Sequence, residues 1–211
     1  MTMLVASAGA AAAVSACDAT HDDATAHETG DLVPWQARAP AGAGDEHVTP
    51  GGPHPVAVCE SRTLARTPLP PLRHVPTPRL AECAHAGTLS QLQVETVRAA
   101  MDALGARRVF ALGDGTGVGK ARTLAGVIAE WRATHGAGGA RVVWVSANLQ
   151  LHAQSKVELA LVGGGEEEDG GGCHFTSYAA LRHDGALAAA QAAMRCAEGR
   201  GEGRGEGRGG G

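Results

Sequence analysis

The sequence predicts an α/β fold whose parallel sheet is built by a strand–helix–strand–helix–strand run, and three observations predict it. Between Thr88 and Leu187, short apolar runs alternate with longer stretches whose apolar residues recur every three to four positions. Each connection between the apolar runs is long enough to hold a helix, as parallel strands require. A glycine-rich turn, residues 113–119, lies where one apolar run passes into one of these helical stretches. No run of about 18 apolar residues occurs, so no membrane-spanning helix is expected.

Taken in order, the first element is a helix from about Leu89 to Leu104, with Leu92, Val97, Ala100 and Leu104 available for one face. A strand is expected over Arg108–Leu112 (RVFAL), ending at the glycine-rich turn. The next helix places Leu124, Val127, Ile128 and Trp131 at i, i+3, i+4 and i+7, an amphipathic stripe, and stops at His135-Gly136, where glycine suits the position after a helix end. A second strand is expected over Arg141–Ser146 (RVVWVS), a helix over about Gln150–Val162, and a glycine and glutamate loop over 163–172. The third strand is expected over Cys173–Tyr178. Such spacing implies right-handed crossovers and a sheet covered on both faces.

The glycine-rich turn carries the chemistry. Glycines alone say little in a chain with 31 of them, but these stand between a strand and a helix and end in Lys120, one of only two lysines. A loop of this kind turns backbone N–H groups inward as a nest for phosphate oxygens, and the helix start adds its unpaired N–H groups and positive dipole end. Gly115, Gly117 and Gly119 allow close backbone approach, and Lys120 would reach the β- and γ-phosphates. The general pattern G-x-x-x-x-G-K-[ST] is met incompletely. Asp114 stands at the first glycine position, Ala121 replaces the hydroxyl that ordinarily binds Mg²⁺, and Thr123 lies two residues further on.

Composition divides the rest. Of 211 residues, 42 are Ala and 31 Gly, while aromatics number six, so large apolar side chains are too few to fill the whole chain with core. The glycines lack a G-X-Y period, which excludes collagen. Cys17, Cys59, Cys83, Cys173 and Cys196 are odd in number and form no C-x-x-C pair, against a disulfide framework or a zinc module. Residues 1–60 carry a net charge of −7, residues 61–165 +6 and residues 166–211 −3, so the middle segment is the one suited to approach phosphates. The start, Met1–Cys17, is a small-residue run with no Lys or Arg before its apolar stretch, unlike a secretory signal. The histidines His21, His27, His47 and His54 have no regular spacing, and no metal site is expected. The chain therefore divides into a disordered Ala-rich and acidic leader (1–53), a Pro-rich extended approach segment (54–87), a nucleotide-binding lobe (88–187) and a low-complexity Gly/Arg/Glu tail (188–211). Pro68, Pro70, Pro71, Pro76 and Pro78 mark the approach segment as extended rather than helical.

Asp114, Gly115, Thr116, Gly117, Val118, Gly119, Lys120 and Ala121 resemble the D-E-x-G-x-G-K-T motif of Snf2-like superfamily 2 helicases. The longer string from Gly113 to Thr123 is similar to the G-D-G-[AS]-G-V-G-K-G-R of the strawberry notch family, in which the residue after the lysine is itself small. Other stretches resemble that family in order and spacing: His54-Pro55 with Glu60-Ser61, then Thr88–Glu95, Ala140–Ser146 and Phe175–Leu181. The resemblance covers roughly residues 50–185 and implies an incomplete RecA-like P-loop NTPase lobe with ATP as cofactor. It further implies that Gln93, at the Q-motif position, reads the adenine edge, and that Ser146 and Asn148 touch a nucleic-acid backbone. It implies DNA or chromatin-associated proteins as partners and a nuclear role in transcription.

ATP hydrolysis requires a carboxylate pair that holds Mg²⁺ and orients the attacking water. No D-E pair follows the loop, since Glu166-Glu-Glu-Asp169 lies in a glycine stretch, and no second lobe with an arginine finger is present. The expectation is a lobe that binds nucleotide with little turnover and has no catalytic residue of its own. The alternatives are a non-catalytic nucleotide-binding remnant, a partner-docking module, or an unrelated P-loop enzyme such as a small kinase.

Overall fold

A computed structural model of the chain describes residues 2–7, 32–37, 51–68, 70–114, 117–136, 141–147, 149–163 and 173–182, with a few single positions after them. The expectations for the acidic leader at 8–31 and 38–50, for the glycine loop at 164–172 and for the tail from 193 onward lie outside the described residues, as do Cys17 and Cys196.

A three-stranded parallel sheet orders β1 (Thr2–Ser7), β4 (Arg141–Ser146) and β5 (Cys173–Ser177), with β4 in the middle. Central placement suits β4, because Val142, Val143, Trp144 and Val145 are all buried, an apolar run fit for a strand covered on both faces. Trp144 stacks on Phe175 of β5 with ring centroids 5.7 Å apart. Helix α5 (Gln150–Leu161) makes the crossover between them. A separate antiparallel pair joins β2 (Leu32–Pro34) to β3 (Cys59–Ser61), in the register Leu32↔Ser61.

Helices α3 (Gln91–Gly105) and α4 (Lys120–His135) form the body of the core. Ser90 caps α3 and Gln93 answers it, a reciprocal box that fixes where the helix starts. Val94, Val97, Ala100 and Met101 of α3 face Ala125, Ile128 and Ala129 of α4 in one cluster. Gly126 allows the close approach: a Cβ there would lie 3.0 Å from Val97 Cγ2 and 3.1 Å from Leu89 Cδ1. Val127, Ile128 and Trp131 are buried and Leu124 packs against the cluster, as the stripe predicts. On α3 the buried face turns toward Gln93, Val94 and Arg98, and Leu92 is only half-buried.

Three differences from the sequence reading stand out. Arg108–Leu112 forms no strand, and Val109 is 92% exposed. The place beside β4 on that side is held by Thr2–Ser7, in the register Thr2↔Arg141 to Ser7↔Ser146, and one strand edge accepts one neighbour. A short strand therefore lies inside the stretch expected to be a structureless leader, and Leu32–Pro34 is a second one. Finally, the Pro-rich stretch holds helix α2 (Pro78–His85), preceded by the short helix α1 (Arg62–Arg66). Pro78 occupies the first turn of α2, where its missing N–H costs no intrahelical bond, and Thr77 caps it. Helix α6 (Tyr178–Leu181) follows β5 directly.

Among the described residues Cys83 and Cys173 are free thiols, and no helix is long and apolar enough to cross a membrane.

Candidate functional site

The glycine turn meets α4 through a left-handed residue. Gly119 caps the helix with φ +73° and Gly117 has φ +88°, conformations that L side chains rarely adopt. A Cβ on Gly119 would also lie 2.7 Å from Gln93 Nε2, so both the backbone and its surroundings call for glycine. Ser61, Thr77, Ser90 and Ser177 cap α1, α2, α3 and α6 with side-chain oxygens, whereas α4, like α5, has no side-chain cap. Its first N–H groups are left without that partner at the end of the glycine loop. Lys120, the first residue of α4, donates from Nζ to Asp114 O at 2.9 Å, which brings the ammonium across the loop to its beginning.

The carbonyls of the loop are held from behind. Gln93 Nε2 donates to Val118 O at 3.3 Å and to Gly119 O at 3.5 Å, while its Oε1 accepts from Ser90 N at 3.0 Å. His54 approaches the same Val118 oxygen through Nε2 at 3.2 Å. Asp114 is half-buried, and burial raises its carboxyl above the usual range, an effect partly offset by the positive charge of Lys120 and by His54.

Thr123, the first hydroxyl residue after Lys120, is buried; its N–H donates to Gly119 O at 3.0 Å and its Oγ1 to the same oxygen at 3.4 Å. It serves the first turn of α4 and does not take the place that Ala121 leaves without a hydroxyl. Ala121 is half-buried against the core.

The structure thus brings Asp114, Gly117, Val118, Gly119, Lys120, Ala121 and Gln93 together at the start of α4, while Gly115 and Thr116 lie outside the described residues. Gln93, only 6% exposed, spends both ends of its carboxamide on the protein. Ser146 ends β4 at 0% exposure, so its side chain offers no surface to a ligand, and Asn148 lies outside the described residues. Thr176 is buried and its carbonyl accepts from His152 Nε2 at 2.8 Å; Tyr178 is 53% exposed.

Two anchors behind the site were not read from the sequence. Glu130 of α4 is 1% exposed and accepts from His74 Nε2 at 2.5 Å, from Thr77 N at 2.8 Å and from Thr77 Oγ1 at 2.6 Å, fastening the approach segment to α4. Arg122 pairs with Glu158 of α5 and donates to Thr88 O at 3.2 Å, tying α4 to α5 and to the turn before α3.

Residues 53–169 match the family model described as P-loop containing NTP hydrolase pore-1. Over 155 residues the chain is 32% identical to Protein strawberry notch homolog 2 of Homo sapiens, which covers 62% of this chain and 10% of that protein. Over 120 residues it is 33% identical to Protein strawberry notch of Drosophila melanogaster, covering 54% of this chain and 7% of that one. Protein FORGETTER 1 of Arabidopsis thaliana is 35% identical over 120 residues, 54% of this chain and 9% of its own. The chain spans about a tenth of the length of these relatives. No solved structure matches.

Proposed function

The chain belongs to the P-loop containing NTP hydrolase pore-1 family as a strawberry notch-like member, and on that premise we propose that Asp114–Ala121 bind the phosphates of ATP. The observation that carries the reading is the uncapped, left-handed entry into α4, with Gly117 and Gly119 at positive φ and Lys120 in the first turn. Backbone N–H groups of this turn take the phosphate oxygens, and the α4 dipole favours their charge. Lys120 exchanges its bond to Asp114 O for the β- and γ-phosphates. Gln93 holds the loop carbonyls through its Nε2, and by extension of the family resemblance it also meets the adenine edge.

ATP carries Mg²⁺ in the intact family. Here Ala121 has no hydroxyl, Thr123 Oγ1 is directed to Gly119 O, and no group of three His, Cys, Asp or Glu among the described residues could hold a metal ion. Ala121 and Thr123 thus offer Mg²⁺ no hydroxyl, and no hydrolytic step is derived through the ion. We infer binding with little turnover. In the same reading the longer protein is a helicase-like ATPase of the nucleus, acting with DNA or chromatin-associated proteins in transcription, which rests on the strawberry notch likeness.

Equilibrium dialysis of ATP against the full chain, paired with a phosphate-release assay, tests the proposal. Saturable binding with phosphate release no faster than in the protein-free control is expected. Absence of binding, or robust turnover by the chain alone, would contradict it.

A further inference from the structure

The sequence singles out His54-Pro55, yet nothing in the proposed chemistry uses it. In the fold His54 lies beside the phosphate loop, 64 residues away in the chain. Its position is built. Gly52 O accepts from Gln91 N at 2.9 Å, which lays the segment against the start of α3. Gly51, at φ +118°, comes so close that a Cβ would lie 2.9 Å from Gln91 N. Pro55 follows His54 directly and biases it toward extended backbone. Val56 anchors the ring, with Nδ1 3.2 Å from Val56 N and 2.8 Å from Val56 O; Nε2 lies 3.2 Å from Val118 O, an oxygen that can only accept, so Nε2 is the donor of that bond.

We propose that His54 is a positioning residue for phosphate binding, acting through the Val118 carbonyl. Val118 C=O and Gly119 N–H belong to one planar trans peptide and point in opposite directions. When His54 Nε2 and Gln93 Nε2 hold the oxygen from behind, the Gly119 N–H is turned to the opposite side, the side a phosphate would take. The neighbouring Gly119 carbonyl is held by the first turn of α4, accepting from Thr123 N at 3.0 Å, with Gln93 Nε2 further off at 3.5 Å. Two donors on one carbonyl oxygen use both of its lone pairs and leave the peptide little freedom to flip. A preset nest binds its anion without first ordering the loop, so His54 raises affinity for di- and triphosphates while touching no ligand.

This inference rests on the phosphate-loop reading, and the experiment separates the two. In the full chain, His54→Ala and His54→Gln are compared with the unaltered protein. Two readouts are taken: affinity for ATP, ADP and AMP, and amide hydrogen exchange over 117–120 without nucleotide. Gln carries a donor with similar reach to Nε2. Expected for His54→Ala is about tenfold weaker binding of ATP and ADP, a much smaller effect on AMP and faster exchange of the loop amides, with His54→Gln restoring most of each. Unchanged exchange and unchanged affinity in His54→Ala would overturn the proposal. Equal loss for all three nucleotides without rescue by Gln would also overturn it, because that is the signature of a merely structural role. If the unaltered chain bound no nucleotide while His54→Ala still loosened the loop, the clamp would stand and the phosphate reading would fall.

Discussion

Glu130 shows what a single residue can hide from sequence reading. A glutamate in an amphipathic helix reads as solvent-facing, yet its partners His74 and Thr77 come from 56 and 53 residues away and are invisible to any local pattern. Removing it leaves three donors, His74 Nε2, Thr77 N–H and Thr77 Oγ1, without their acceptor. Glu130→Ala is expected to cost about 3–5 kcal/mol in urea unfolding, and Glu130→Gln, which retains an acceptor, distinctly less. Equal losses would mean that the side chain's volume and not its oxygens matter. Asp114 makes the opposite case. Its folded-state carboxyl is raised by burial, so the folded chain holds that proton more tightly than the unfolded one. The group therefore favours folding at acid pH, and its contribution fades as pH rises through the raised value. Asp114→Asn is expected to raise the melting temperature slightly at pH 7, with the gain vanishing as pH falls through the carboxyl range. A gain that grew toward acid pH would reverse the sign of this argument. The lysine and glycines of the loop were legible, since residue types alone specify left-handed turns and a cation. The donors behind them, His54 and the second use of Gln93, depend on tertiary contact.

At the scale of elements, helices and strands with a long periodic or apolar signal were readable: α3, α4, β4, α5 and β5 lie where the pattern places them, within a few residues. Elements decided by competition were not. Arg108–Leu112 and Thr2–Ser7 are both short apolar runs, and only the fold determines which one pairs with β4. Thr77-Pro78 is a helix-start signature that a count of prolines conceals. The pairing has a direct consequence for amide exchange. Val142–Val145, with strands on both sides, should be among the slowest-exchanging amides, and 108–112 should exchange like an open loop. Strong protection over 108–112 would show that this run, and not the leader, is the sheet neighbour.

For the whole molecule, the positive segment 61–165 coincides with the packed lobe, and the acidic stretches flank it. The lobe gathers its core around α4, the same helix whose first turn carries Lys120, so folding and phosphate binding share one element. Scarcity of lysine then supplies a clean control. The second lysine, Lys156 on α5, places its Nζ 5.5 Å from the Phe175 ring centroid and belongs to a different helix. Calorimetric titration of ATP into the unaltered chain, Lys120→Ala and Lys156→Ala is the most direct test of the phosphate site. Saturable binding is expected, weakened by at least about tenfold in Lys120→Ala and unchanged in Lys156→Ala. Binding that is indifferent to Lys120, or equally damaged by either substitution, would contradict the phosphate site.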